Sequence, residues 1–423
     1  MAIETRTVAQ TCAQAKEAAH KLAALDSAVK DAALRAVAHD LEARADEIIE
    51  ANAADLEAGR AAGLTDALID RLTLDGERVK VMADGVRTIV ELDDPVGEEL
   101  ESRTLYNGLD LRKVRVPLGV VAIVYEARPN VTVDAAALAI KSGNAVVLRG
   151  SSTAERSNAV LAAIVAEAAE REGLPEGSVS LIAGGDRSEL AELSQQDRYV
   201  DLIIPRGGEG LKNALKSTAT VPVIYAAAGN CHVYVDAGAD VAMAQRIAYN
   251  AKVQRPGVCN SAETLLVHSD VAAQVLPGLM DKLREAGVEL RVDARTRALA
   301  GLDGDGVVTA TDEDWDTEYL GMTMAIKVVD SLEEAIDHIN RHGTGHSEAI
   351  VTANDSAAQA FTNEVDAACV YVNASTRFTD GGEFGMGAEM GNSTQKLHAR
   401  GPIALRELTT SKYIVHGTGQ VRE

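Results

Sequence analysis

The sequence predicts an α/β protein containing two parallel sheets, each covered by helices. Three observations predict it. Short runs of Val, Ile and Leu recur between residues 120 and 225, and again from about 231 to 373, with helical stretches between them. Near-continuous apolar strands alternating with helices mark a parallel sheet buried on both faces. Aromatic residues make up only 3% of the chain, and its many small aliphatic residues suit helices packed close on a sheet. The length of 423 residues allows two or three domains.

Taken in order, residues 6 to about 60 read as helix throughout. Val29–Val37, for example, repeats apolar positions at three- and four-residue spacing. Gly59 and Gly63 punctuate the region, and further helix runs to about residue 92. Residues 101–116 change period: alternating apolar positions flank Asn107-Gly108, a strong hairpin signal. The hairpin is either an arm that completes a sheet in a neighbouring subunit or a plain surface hairpin. From residue 117, strands are expected over 120–125, 145–148, 179–182, 200–204 and 221–225. Helices are expected over about 131–142, 154–172, 187–195 and 209–218. A second block carries strands over about 232–236, 263–268, 288–292, 323–329, 348–352 and 369–373. The tail, 386–423, includes Ser411–Val415, a strand suited to pair with the arm. The resulting organisation is a cofactor domain over 1–100 and 117–230, a catalytic domain over 231–385, and an oligomerisation arm and tail over 101–116 and 386–423. Ligands of such sheets bind at the carboxyl ends of the strands, so the active site is expected in the cleft between the two blocks.

The formal net charge of −23 argues against nucleic acid and anionic membrane surfaces as partners. An anionic substrate then needs a local basic pocket. No apolar run approaches the ~20 residues of a membrane span, and the N-terminal residues lack a secretory pattern. The four cysteines, Cys12, Cys231, Cys259 and Cys369, show no CxxC spacing and no metal-ligand cluster with histidine. No metal is expected, and a reducing cytoplasm is.

One cysteine stands out. Cys259 sits in Gln254-Arg255-Pro256-Gly257-Val258-Cys259-Asn260-Ser261, a Pro-Gly turn directly before the mostly apolar run Glu263–His268. A thiol held at the end of a turn is a candidate covalent nucleophile; the alternative is a small buried side chain. Two further turns, Leu148-Arg149-Gly150-Ser151-Ser152 and Pro205-Arg206-Gly207-Gly208-Glu209-Gly210, place small residues at strand ends. Bare amides at a helix start can take a phosphate, which makes Arg149, Ser151, Ser152, Gly207 and Gly208 candidate cofactor contacts; otherwise they are ordinary strand–helix turns. His232, His268 and His338 are expected to be structural, and Cys231 a buried thiol.

Together with the cysteine turn, Val116–Val121, Gly143–Arg149, Gly173–Gly177, Glu318 ahead of Gly321, and Glu383-Phe384-Gly385 resemble motifs of the aldehyde dehydrogenase superfamily, in order, from about residue 20 onward. The resemblance implies a Rossmann-like cofactor domain, an α/β catalytic domain and a small oligomerisation arm. It makes Cys259 the nucleophile and Glu318 the acid that holds the nicotinamide ribose. Within the superfamily, Tyr125–Thr132, Gln254–Asn260 and Ala335–Glu348 are similar to the branch that reduces the γ-acyl phosphate of glutamate. That branch implies NADPH-dependent formation of glutamate 5-semialdehyde in proline biosynthesis. It also implies a small-molecule substrate; the arm and the C-terminal strand point to a homo-oligomer, and the expected instability of an acyl phosphate to a transient contact with glutamate 5-kinase.

Two departures carry chemical weight. Superfamily members that hydrolyse their thioester place a glutamate where this chain has Ala226–Asn230. Without that base, transfer to phosphate or reduction remains. NAD-preferring relatives carry a glutamate at the place of Ser152, where a carboxylate would repel a 2′-phosphate. Serine there, beside Arg149, favours NADPH over NADH. The oxyanion donors implied are the Cys259 backbone amide and either Asn130 or Arg128. Arg128, Arg255, Arg377 and Arg400 are candidates for the substrate carboxylate or departing phosphate, and His346 for the phosphate; surface or loop-fixing roles are the alternatives.

Overall fold

The structure is a computed structural model, and it describes residues 6–182, 186–225, 228–300 and 306–422. Ala226 and Ala227, which open the segment expected to lack a hydrolytic acid, lie outside the described residues. The chain divides into two compact units. One comprises residues 1–225, 385–391 and 403–423, and the other residues 226–384 and 392–402. No helix among the described residues is long and apolar enough to cross a membrane.

The first unit opens with helices α1 (Val8–Leu22), α2 (Ser27–Ala43), α3 (Ala45–Ala61), α4 (Asp66–Leu72) and α5 (Gly76–Val90). The helix expected without interruption over 6–60 is therefore three. Asp26 is extended ahead of α2, and Arg44 leaves helical geometry between α2 and α3. Asp favours a helix start over a helix interior. Thr7 begins α1 with a reciprocal capping box to Gln10.

A ribbon follows, β1 (Glu99–Thr104) and β2 (Asp110–Pro117). Then come β3 (Val120–Tyr125), α6 (Asn130–Lys141), β4 (Ala145–Arg149), α7 (Glu155–Arg171), β5 (Val179–Leu181), α8 (Arg187–Ser194), β6 (Leu202–Arg206) and α9 (Glu209–Thr218). The sheet is parallel, in the order β5-β4-β3-β6. On one face, Val120, Ala122, Val124, Ala145 and Val147 meet α1, α8 and α9. The chain steps outward from β3 to β5, then crosses back to β6 on the far side of β3. That reversal leaves a crevice beside the carboxyl end of β3, the usual ligand position in such sheets. Register places Arg149 opposite Val124, and Arg206 opposite Tyr125.

The strand expected over 221–225 is reduced to one bridge, Ile203 to Val223. Pro222 has no N–H to give a ladder, and the Thr220 and Val221 amides donate to Ser194 O instead.

The second unit contains β7 (Cys231–Val235), α10 (Val241–Val253), β8 (Ala262–His268), α11 (Ser269–Glu285), β9 (Glu289–Val292), α12 (Ala294–Ala300), β10 (Val307–Thr309), β11 (Thr323–Val329), α13 (Leu332–His342), β12 (Ser347–Val351), α14 (Asp355–Glu364) and β13 (Cys369–Val372). These strands form a seven-stranded parallel sheet in the order β10-β9-β11-β8-β7-β12-β13. Helices α10 and α11 cover one face, and α13 and α14 the other. Strand β10 is absent from the sequence expectation: it is three residues long at the sheet edge, and its apolar pair Val307-Val308 is too short to read as a strand. The short strands β14 (Asn392–Ser393) and β15 (Gly401–Pro402) pair with each other.

The chain then returns to the first unit as β16 (Thr409–His416). It pairs antiparallel with β2 from Thr409 opposite Pro117 to His416 opposite Asp110. The strand expected over Ser411–Val415 thus does join the arm, in a three-stranded sheet ordered β1-β2-β16.

Candidate active site

In the second unit, α10 ends at Val253 and β8 starts at Ala262, and the Pro256-Gly257 turn fills the gap. Its backbone is tied down from several sides. The Asn260 side-chain amide donates to Thr379 O at 2.9 Å, and Thr376 Oγ1 donates to Asn260 O at 2.7 Å. Ser261 Oγ donates to Ala251 O, and Cys231 Sγ donates to Cys259 O at 3.2 Å. Asn260 and Ser261 are buried, yet Cys259 is the exposed member of four cysteines, none of them in a disulfide. The buried-thiol alternative therefore fails for Cys259 and holds for the others. Burial pushes the Cys12 thiol up to about 12, and that of Cys231 well above its ordinary value.

Gly229 lies against this turn. A Cβ built on it would fall 1.7 Å from Cys259 O and 2.7 Å from Cys259 Cα, so only a residue without a side chain fits. The Gly229 N–H donates to Glu318 Oε1 at 2.6 Å. Asn230 holds the next residue: its side-chain amide donates to Trp315 O and His342 O, and its N–H to Thr344 Oγ1. Ala228, Gly229 and Asn230 bring no carboxylate to the turn. Glu318, expected to hold the nicotinamide ribose, reaches the same segment from the loop ahead of β11.

The turn also carries the local positive charge that an acidic chain must supply. Arg377 is half-buried, and its Nε donates to Gln254 Oε1 at 2.9 Å. Burial and then the neighbouring Arg255 charge hold its pKa below the ordinary guanidinium value, while Cys259 pulls it the other way. Arg255, Arg377 and the thiol thus share one field. Arg400 instead pairs with Asp366 at 2.9 Å. Below the turn, Lys252 Nζ and Glu263 Oε2 meet at 2.5 Å, both fully buried. Burial moves the Glu263 carboxyl up to about 7 and the Lys252 ammonium down.

His346 has no exposed surface, so the expected contact with phosphate gives way to the loop-fixing alternative. Its Nδ1 shares a hydrogen bond with Ser347 Oγ at 2.8 Å. Burial lowers its pKa to about 4. As pH falls below the unfolded value of about 6.5, the unfolded chain takes a proton that the folded chain refuses. Stability is therefore lost on acidification, by roughly 1.4 kcal/mol per pH unit until about pH 4. Urea unfolding at pH 7 and pH 5 is expected to show a smaller acid loss for His346→Gln than for the unchanged protein; equal losses would refute this.

In the first unit, Arg149 ends β4, almost fully buried, and Nη2 donates to Asp186 O at 2.9 Å. Burial lowers its pKa, and Glu189 and Asp186 act against that. Its buried Nε has no partner among the described residues. Ser151 Oγ shares a hydrogen bond with Thr153, and Gly150–Thr153 contains no carboxylate. An unsatisfied guanidinium N–H beside two serines at a strand end fits a phosphorylated nucleotide. Gly207 and Gly208 stand differently. The Gly208 N–H at the start of α9 donates to the chain's own Glu126 carboxylate at 3.2 Å, which occupies the charge-favourable end of that helix.

Asn130 opens α6, and its Nδ2 donates to Asp134 Oδ2 at 2.9 Å. Arg128 lies just ahead and is exposed. Both line a cavity of about 50 Å³ together with Asp134, Arg206 and Glu389. Sequence reasoning passes over Asp134 and Arg206. The available signal is an acid at position 134 within the run Val131–Ile140, which is otherwise apolar but for Thr132, one turn after Asn130. Burial raises the Asp134 carboxyl to about 6, against the pull of Asn130 and Arg206.

The chain resembles known proteins over its whole length. A sequence model of the aldehyde dehydrogenase family matches residues 1–298 and 306–414. The gamma-glutamyl phosphate reductase of Heliobacterium modesticaldum is 54% identical over 409 residues, 97% of either chain. That of Moorella thermoacetica is 54% identical over 423 residues, 100% of either chain. The crystal structure of gamma-glutamyl phosphate reductase from Thermotoga maritima matches with a TM-score of 0.96 at 47% identity, covering 99% of this chain and 100% of that one.

Proposed function

The chain belongs to the aldehyde dehydrogenase family, and from that premise we propose that it acts as a γ-glutamyl phosphate reductase. It converts L-glutamyl 5-phosphate and NADPH to L-glutamate 5-semialdehyde, phosphate and NADP, the second step of proline biosynthesis from glutamate. The observation that carries this reading is an exposed thiol on an anchored turn, packed against a Gly229-Asn230 backbone that brings no water-activating acid.

The Cys259 thiolate attacks the acyl carbon. The S–C bond forms, and the C–O bond to phosphorus breaks, with phosphate taking the electron pair. Phosphate is a good leaving group and needs no acid. Arg255 and Arg377 supply positive charge to the field of the thiol and receive the departing phosphate. The oxyanion is met by the Cys259 backbone amide and by Asn130 or Arg128. Asn130 has a second amide N–H besides the one given to Asp134. A bound nicotinamide supplies the hydride that reduces the thioester, and Arg149, Ser151, Ser152 and Glu318 are the residues that would hold it. Cys259 is then released as the C–S bond breaks and the aldehyde carbonyl re-forms.

The same reading places the chain in a homo-oligomer, through the open edges of β1 and β16, where Tyr413 and Val415 are exposed. It also gives a transient contact with glutamate 5-kinase for transfer of a labile acyl phosphate, and a cytoplasmic setting that keeps the four cysteines out of disulfides.

The test runs the reaction backwards, following reduced nicotinamide by absorbance with glutamate 5-semialdehyde, phosphate and NADP. Omitting phosphate is expected to leave only about one turnover per Cys259, because no other acyl acceptor is served. NAD in place of NADP is expected to lower kcat/KM by about tenfold or more, from loss of the charge-assisted contact at Arg149. Sustained turnover without phosphate would identify a hydrolytic enzyme instead.

A further inference from the structure

The cavity in the first unit is lined by side chains of both charges. It lies at the sheet reversal between β3 and β6, lined by Arg128 and Asn130 after β3, Asp134 on α6 and Arg206 at the end of β6. Its volume of about 50 Å³ is several times the roughly 10–15 Å³ needed by one water, so it admits a group of a few heavy atoms.

Two features point to a ligand. The half-buried Arg206 guanidinium makes no hydrogen bond or ion pair among the described residues, although it lines the cavity. A guanidinium in such a place gains most from a planar carboxylate. Gly391 makes room for it: a Cβ there would lie 2.9 Å from Arg206 Nη1, and the residue sits at φ +145. Asp134, for its part, is oriented by the Asn130 amide at 2.9 Å. A carboxylate in that position accepts hydrogen bonds from an ammonium.

We propose that this cavity binds the α-amino acid end of the substrate, Asp134 taking the ammonium and Arg206 the α-carboxylate. The proposal rests on the reading above for the identity of the substrate. It makes Asp134 and Arg206 specificity residues that act by binding rather than chemistry.

The experiment reads binding without turnover. L-Glutamate, glutarate, which lacks the α-amino group, and 4-aminobutanoate, which lacks the α-carboxylate, are titrated calorimetrically into the unchanged protein, Asp134→Asn and Arg206→Gln. L-Glutamate is expected to bind the unchanged protein at least tenfold tighter than either analogue. In Asp134→Asn its advantage over glutarate should vanish, and in Arg206→Gln its advantage over 4-aminobutanoate. The Kd for NADP should change in neither. Variants that keep the full discrimination overturn the proposal, and so does an equal loss of NADP binding, which would assign the cavity to the nucleotide. If a variant does not fold, the unchanged protein still decides: equal binding of L-glutamate and glutarate refutes the site. A protein that discriminates the amino acid yet reduces no acyl phosphate would leave this site standing and remove the proposed reaction.

Discussion

Cys259→Ala is expected to lose at least about 10⁴-fold in kcat/KM while keeping its affinity for NADP. Removal of a covalent nucleophile takes away the one atom that both accepts and returns the acyl group, and losses of that order follow in other enzymes that use one. The affinity should survive because the residues proposed to hold the nucleotide take nothing from the thiol. Arg149 is anchored on Asp186, and Glu318 on the Gly229 amide. Steady-state rates with glutamate 5-semialdehyde, beside NADP binding followed by fluorescence, check both halves. A variant working within tenfold of the unchanged enzyme would remove the thiol from the mechanism.

Gly229→Ala is expected to lower kcat by about 10²-fold or more, and to depress the melting temperature as well. The methyl group would sit 1.7 Å from the Cys259 carbonyl oxygen and 2.5 Å from its carbon. Both are backbone atoms, so no side-chain rotation relieves the clash. One of two things must move. If the Cys259 turn shifts, its tethers to Cys231 and Thr376 stretch, and a displacement of about 1 Å at a reacting atom costs on the order of 10²-fold. If Gly229 retreats, it leaves the Glu318 carboxylate. Rates of Cys259 alkylation by iodoacetamide, read beside the KM for NADP, tell the two apart. A fully active, equally stable variant would show that the contact has no bearing on the site.

The parts of the fold legible in the sequence are those written in one strong signal. Buried parallel strands announce themselves as short, mostly apolar runs, and every strand of the two parallel sheets except β10 lies within about two residues of its expected range. The Pro-Gly turn makes Cys259 stand out from the residue order alone. What escapes depends on partners distant in sequence. The run Val221–Tyr225 looks like a strand, yet Pro222 and the claim of Ser194 O on neighbouring amides prevent a ladder. His346 sits in a polar, His-rich stretch that reads as surface, but β12 begins beside it and draws it into the core. Asp134 and Arg206 lie far apart in sequence and meet only because β6 crosses back to the flank of β3. Charge complementarity across such a crossing leaves no local pattern to read.

The pairing of β2 with β16 joins Asp110–Pro117 to Thr409–His416, about as remote a partnership as this chain can make. During synthesis, the inner strand of the ribbon emerges long before its second neighbour. For most of translation it presents an open row of amides and carbonyls, held only by β1. Closing so long a loop is slow, and an open edge invites pairing with other chains. Ribbon completion should therefore be among the last events of maturation.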